Sequence, residues 1–236
     1  MFRAPFPVPA NHPTFRAMIR RALPSVLLVL LALMVLPFAW HALTRPVLAL
    51  QGVPEALGRL FHPGAPLSNL AIYAHMITGA VITATVPLQL LPVIRRRAPG
   101  LHRLSGYTLA TTAVVTGLAG LLYIALQGTV GGPWMSGWFA LYGALMILAA
   151  SNTVYYAIDK DVTRHRRWAL RLMVLAVGSY FYRLHYGLWF ATTGGIGVDD
   201  FYGPFDRAMV WAFYLPYLAL LELWFLGERR LSRKPA

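Results

Sequence analysis

The amino-acid sequence predicts an all-α polytopic membrane protein, a six-transmembrane-helix bundle with both termini on the cytoplasmic side. Three observations predict it. First, 58% of the 236 residues are hydrophobic and only 12% charged, about half the charged share of a soluble domain. Second, the apolar residues form long runs without alternation. Inside lipid the backbone must satisfy its own hydrogen bonds, so helices or a closed barrel are the options, and unbroken runs choose helices. Third, the basic residues gather between alternate runs.

Residues 1–22 read as a polar, Pro-rich cytoplasmic tail carrying Arg3, Arg16, Arg20 and Arg21. The first span is predicted over about Leu23 to Leu43. Its Arg-rich start and Leu-rich run also describe a signal peptide, but the run is long enough to span and no clean cleavage site follows, so it is read as an uncleaved helix. Further spans are predicted over about Ser68 to Ile94, Leu104 to Gln127, Gly137 to Ile158, Trp168 to Ala191 and Ala208 to Leu226. Each run is long enough to cross a hydrocarbon core of about 30 Å with some tilt. Together residues 23–227 form one transmembrane domain, and residues 228–236 a basic cytoplasmic tail.

The net charge of +13 arises from 21 Lys and Arg against 8 Asp and Glu. Seventeen of the 21 lie in the segments that are cytoplasmic when the N-terminus is inside. The outer loops hold Arg45, Arg59 and Arg207, and Arg183 lies within a span. The charge is therefore a topology signal with attraction for anionic lipid at the cytoplasmic face, not a nucleic-acid footprint. It places the chain in a bacterial cytoplasmic (inner) membrane. Of the outer loops, residues 46–67 contain a short amphipathic stretch, Pro54 to Phe61, expected in the interface. Residues 128–136 are Gly-rich, and residues 192–207 carry Asp199, Asp200 and Asp206. The absence of cysteine excludes disulfides, thiolate metal sites and a cysteine nucleophile.

Ionisable residues inside spans are costly and mark function or packing. They are His75, Arg183, His185 and Glu222, with Gln89 and Asn152 among the neutral polar residues. Counting along the spans puts His75 and His185 in the outer third. His102 and His165 stand at the inner edge. Four histidines thus make an inner and an outer candidate pair. His75, Gly79, Val86 and Gln89 share one helical stripe, and His102, Gly106, Ala113, Thr116 and Gly120 another. Glycine beside histidine admits a neighbouring helix or a flat ligand. Ordinary small-residue helix contacts explain the same stripes. Gln89 precedes His102 by the thirteen residues that also separate Asn152 from His165, and each histidine is followed by arginine. Two related hairpins are one explanation. Arg183 and His185, two residues apart, point in opposite directions, so only one of them can face the bundle interior.

The run Tyr73-Ala-His75 to Gly79, Val86-Pro-Leu-Gln89, and Arg95-Arg-Arg-Ala-Pro-Gly-Leu-His102-Arg-Leu-Ser-Gly106-Tyr resembles the DUF2306 family of predicted prokaryotic membrane proteins. His165-Arg-Arg-Trp168-Ala-Leu-Arg171, with Arg183 beyond, resembles it too. The resemblance covers about residues 70–190. It implies a multi-helix membrane protein and marks His75, Gln89, His102, Arg103, Gly106, His165, Trp168, Arg171 and Arg183 as family-like. His185 is not matched, and Leu88 departs from the common Gly-Pro-x-Gln. The family name carries no activity.

Three functions compete. A carrier of haem b for transmembrane electron transfer, similar in plan to cytochrome b561, would ligate iron with histidine pairs near each surface. Arg97, Arg103, Arg166 and Arg171 would then meet the propionates. A transporter, or a binder of lipid or small anions, would line a polar cavity with His75, Gln89 and Arg183. A scaffold or accessory subunit would use the same residues only for packing. No Ser/His/Asp arrangement, His-Glu-x-x-His motif or phosphate loop is present, so a classical enzyme is the least expected. An outer metal site of His41, His62 and Asp199 or Asp200 is a further alternative.

Overall fold

The computed structural model describes residues 15–231, and among these the ordered backbone is helical, without strands. Eight α-helices follow in order: α1 Phe15–Leu50, α2 Pro66–Gln89, α3 Pro92–Arg97, α4 Pro99–Gln127, α5 Gly132–Ile158, α6 Val162–Thr193, α7 Pro204–Ala212 and α8 Leu215–Leu231. A 3-10 helix, Pro54–Leu60, joins α1 to α2. It covers the stretch read from sequence as amphipathic. Within the described residues, five segments are long and apolar enough to cross a membrane: Ala22–Leu50, Pro66–Gln89, Pro99–Gln127, Gly132–Ile158 and Pro204–Arg230. The sixth expected span falls in α6, which is longer than most but more polar.

Proline sets many boundaries. α2, α3, α4, α5 and α7 each begin with proline in the first two helical positions, where the missing N–H has no helical partner to lose. The span expected to reach Ile94 instead stops at Gln89. Leu91, which precedes Pro92, is extended (φ −62°, ψ 124°), as steric conflict with the proline ring requires. The last span, expected as one helix, is broken between α7 and α8. Pro216 cannot donate a backbone hydrogen bond and crowds the carbonyl four residues earlier, at Ala212, where α7 ends. At the start, α1 takes in Phe15 to Ala22, which the sequence assigned to the tail. It extends past the expected Leu43 to Leu50 despite Pro24, Pro37 and Pro46. Residues 1–14 and 232–236, parts of the two expected cytoplasmic tails, lie outside the described residues.

α6 has a defined stop and start. The Asp161 side chain accepts the Arg164 N–H at 2.8 Å, capping the first turn. Gly194 closes the helix in the left-handed conformation (φ 69°), which glycine adopts without steric cost.

α2, α4, α5 and α6 form a ring in which each packs on the next and α6 returns to α2. α1 lies outside α2 and touches α6 only lightly, while α7 and α8 cover α5 and α6. Two contacts set the spacing. Thr83 Oγ1 donates to the Ala176 carbonyl at 2.8 Å in a buried α2–α6 contact. Gly117 meets Gly143 across α4 and α5, where a Cβ on Gly117 would stand 3.0 Å from the Gly143 carbonyl and 2.6 Å from Ile147. The main core, from Ile82, Ala113, Ala150, Leu175 and Tyr214 among others, fills the ring. Above it, toward the ends of α2 and α6 that the sequence reads as external, the ring opens.

Candidate binding cavity

A cavity of about 810 Å³ occupies this upper part of the bundle, walled by α2, α4, α5 and α6, with Phe38 and Ala42 of α1 at one side. Its lining is mostly apolar and aromatic, including Met76, Phe139, Met146 and Phe213. Polar groups converge at one level. His75 is nine residues from the start of α2, Tyr142 ten from the start of α5, Arg183 ten from the end of α6 and Thr116 eleven from the end of α4. At 1.5 Å per residue, each lies about 15 Å below the rim.

The His75 ring is fixed from two sides. Its Nδ1 lies 3.0 Å from the Thr116 carbonyl oxygen, which can only accept, so Nδ1 carries the proton. Nε2 is left without a hydrogen-bond partner among the described residues and faces the cavity. Gly120 makes room for the ring: a Cβ there would lie 2.8 Å from His75 Nδ1. The Thr116 hydroxyl meets Thr78 Oγ1 at 2.8 Å, tying α4 to α2 at the same level.

Arg183 is the cation at the level of His75 in this cavity. Its Nη1 donates to the Ser179 carbonyl of its own helix at 3.1 Å, and its Cζ lies 4.8 Å from the centre of the Phe38 ring. Among the described residues no carboxylate forms an ion pair with it. The remaining guanidinium donors are available to a ligand. Tyr142 lines the same space and gives its hydroxyl hydrogen to the Leu175 carbonyl, and a Cβ on Gly178 would touch its ring.

At the rim, the 3-10 helix meets the loop that follows α6. Arg59 Nη1 and Nη2 donate to Asp200 Oδ2 and Oδ1 at 3.0 and 2.9 Å, and Arg59 stands over the Phe201 ring. Both Arg59 and Asp200 line the cavity mouth. The Arg59 guanidinium holds the Asp200 carboxyl below the usual carboxylate range, and Asp200 in turn raises Arg59. Asp200 and Phe201 adopt positive φ (41° and 73°), a strained conformation for bulky residues that surrounding contacts must enforce. Asp206, fully buried, supplies many of them. It accepts the Asp199 and Gly203 N–H groups at 2.8 and 3.1 Å and the Tyr186 hydroxyl.

The outer histidine pair expected from sequence does not assemble. His185 turns from the cavity toward α8, where its Nε2 meets Tyr217 Oη at 2.8 Å and its ring stacks on Tyr217. Arg183 is the member of the Arg183/His185 alternative that faces the interior. Of the two histidines expected at this level, only His75 lines the cavity. The inner candidates do other work. Gln89 Nε2 donates to the His102 carbonyl at 2.6 Å and lies 3.1 Å from His102 Nδ1, while Ser105 Oγ donates to Gln89 Oε1 at 2.8 Å. This clamp joins the end of α2 to the start of α4, and Gly106 admits the Gln89 amide. Gln89 thus lies outside the cavity it was expected to line. His165 Nδ1 lies 2.9 Å from the Thr153 carbonyl, whereas Asn152 donates to Leu148 on its own helix. The two thirteen-residue spacings therefore end in different contacts. Arg103 is exposed near the start of α4.

Arg171 has a partner that the sequence did not reveal. Its Nε and Nη2 donate to Glu222 Oε1 and Oε2 at 2.6 and 2.9 Å, and its guanidinium stacks on Trp168 at 4.5 Å. Each stands nine residues from the inner end of its helix, a match that depth counting alone could have found. Arg166 likewise meets Glu228 at 3.2 Å. The outer metal site is not formed: Asp200 is held by Arg59, His62 Nε2 faces Tyr123 Oη at 3.2 Å, and among the described residues no group of three metal-binding side chains gathers. Sequence reasoning missed the aromatic wall of Phe139, Tyr142, Tyr182 and Phe213. In an apolar run these residues carry no signal separating cavity from core.

No curated protein and no solved structure matches the chain. The family model described as "Predicted membrane protein (DUF2306)" matches residues 72–225. The matched region runs from α2 into α8 and contains His75, Gln89, His102, Arg103, His165, Arg171, Arg183 and His185, while α1 precedes it. With well over half of its residues matched, the chain belongs to the DUF2306 family of membrane proteins.

Proposed function

We propose that this protein binds an anion inside the membrane, as a transporter or as a lipid- or small-anion-binding protein, with Arg183 as the anion ligand and His75 beside it. One observation carries the reading: a guanidinium without an ion-pair partner among the described residues faces a largely apolar cavity of about 810 Å³. An unpaired charge within a membrane span is costly, and a ligand carboxylate or phosphate would complete the pair with bidentate hydrogen bonds. His75 Nε2 adds a group that accepts when neutral and donates when protonated.

The same reading includes six spans with both termini cytoplasmic in a bacterial inner membrane. In support, three cations of α6 have a place within the protein: Arg171 pairs with Glu222, Arg166 pairs with Glu228, and Arg183 lines the cavity. A helix whose charges are met this way can cross lipid despite its polar composition. The basic inner surface, including Arg95, Arg96 and Arg97 at the end of α3, suits anionic headgroups.

A thermal-shift screen of purified protein against fatty acids, phosphate monoesters and small inorganic anions tests the function. A ligand at a hundred times its Kd stabilises by about 2.7 kcal/mol. Arg183→Ala abolishes the response if the proposal holds. Full retention of the response in Arg183→Ala overturns it.

A further inference from the structure

The cavity has a second side. Between α1 and α6 runs a groove of about 430 Å³, lined by Phe38, His41, Tyr180, Arg183, Leu184, Gly187 and Leu188. Phe38 and Arg183 line both the groove and the central cavity. At this shared edge the Arg183 guanidinium lies 4.8 Å from the centre of the Phe38 ring, and the Tyr180 ring 6.2 Å from it. α1 packs chiefly on α2 and only lightly on α6 at this seam. The flanking surfaces are apolar and exposed: Leu30, Leu33, Met34 and Trp40 on α1, and Leu188 on α6. In a membrane such surfaces meet hydrocarbon rather than water. The aqueous side, in contrast, is held by the bidentate Arg59–Asp200 pair and by Phe201.

We infer that the occupant is a single-chain amphiphile with one anionic head, a long-chain fatty acid in its carboxylate form, and that it enters sideways from the bilayer between α1 and α6. This rests on the anion-binding function proposed above and names its ligand class and its route. The charge sits where this route needs it. The only polar partner common to groove and cavity is Arg183, which receives the head at the seam and keeps it as the chain moves into the space lined by Met76, Phe139, Met146 and Phe213. Phe38, lying against the guanidinium, is the element that must swing aside. An attraction of this kind between ring and cation is weak enough for an entering carboxylate to replace.

Gly187 provides the test. It lines the groove but not the cavity, and a Cβ there meets no atom within 4 Å, so a side chain added at this position starts from open space in the portal. Full-length protein in nanodiscs is mixed with radiolabelled palmitate, and association and equilibrium binding are measured. The comparison covers the wild type, Gly187→Trp, Asp200→Asn, Arg183→Gln and the lipid-facing control Leu33→Trp. We expect Gly187→Trp to slow association and dissociation alike by about tenfold or more while Kd stays within about threefold, because a portal changes rates and not affinity. Leu33→Trp and Asp200→Asn keep the wild-type rates, and Arg183→Gln loses binding. Unchanged rates in Gly187→Trp, or faster association in Asp200→Asn, overturn lateral entry. Binding of inorganic phosphate or acetate as tight as that of palmitate, abolished by Arg183→Gln, leaves anion binding standing and removes the lipid assignment. Failure of every anion to bind the wild type removes both.

Discussion

His75 fills the place of the side chain that Gly120 lacks. The imidazole Nδ1 lies 2.8 Å from where a Cβ on that glycine would be, and it hydrogen bonds the Thr116 carbonyl one turn away on the same helix. A helix whose carbonyl accepts from a neighbour's histidine, and which leaves a notch for the ring, fixes both the tautomer and the direction of Nε2.

Gly120→Ala should therefore act through His75. Overpacking of this kind costs about 1–3 kcal/mol. Denaturant or thermal unfolding should show that loss in Gly120→Ala, and much less of it in the Gly120→Ala/His75→Ala double variant, since the clash disappears with the ring. Equal losses in both backgrounds would mean that the glycine serves helix packing alone.

Arg171 and Glu222 should behave as a pair. Breaking it by Glu222→Leu leaves a half-buried arginine uncompensated, and about 1–3 kcal/mol of stability should go with it. Replacing both, as Arg171→Met/Glu222→Leu, should recover most of that loss. The check is a double-mutant cycle by thermal unfolding in the same detergent.

The rim should loosen in acid. Arg59 holds the Asp200 carboxyl below its ordinary range, so the pair is intact at neutral pH and is lost only as pH falls through that lowered value, beneath the usual carboxylate range. Arg59, raised by the same contact, titrates only in strong alkali. Because the chain has no cysteine, Val198→Cys at the cavity mouth gives a clean probe. Thiol labelling should quicken in Asp200→Asn at neutral pH, and in the parent after a brief acid pulse with labelling read against an acid-insensitive exposed site. Labelling that ignores both changes would show that the pair does not guard the mouth.

Haem should be absent from the outer level, because His185 is turned to Tyr217 while His75 faces the cavity. After haem-replete expression and dithionite reduction, the purified protein is expected to show no bis-histidine Soret and α bands. Should such bands appear, His102→Leu and His165→Leu must abolish them, whereas His185→Leu must not.

Much of the architecture was legible before any coordinates, and the elements show why. Apolar runs such as Leu23–Leu43 announce helices because lipid leaves the backbone no other partner. Pro92 and Pro216 were legible too, yet the continuous hydropathy on either side hid the breaks they cause. Arg183 and His185 were confined by helical phase to opposite faces, but phase does not say which face meets the bundle. That depended on α8 supplying Tyr217 for one and on the ring of α2, α4 and α5 leaving a gap for the other. Gln89 and His102 shared a spacing that suggested a ligand site. Folded, they clamp two helix ends together.

Composition and periodicity therefore determined, unaided, that this chain is a bundle of membrane helices and which few residues pay a penalty for lying inside it, because the cost of polar groups in lipid depends on the residue type and its depth. Only the tertiary structure decided which penalties are cancelled, as Glu222 does for Arg171, and which remain open, as at Arg183, because cancellation depends on distances between helices that no local pattern encodes.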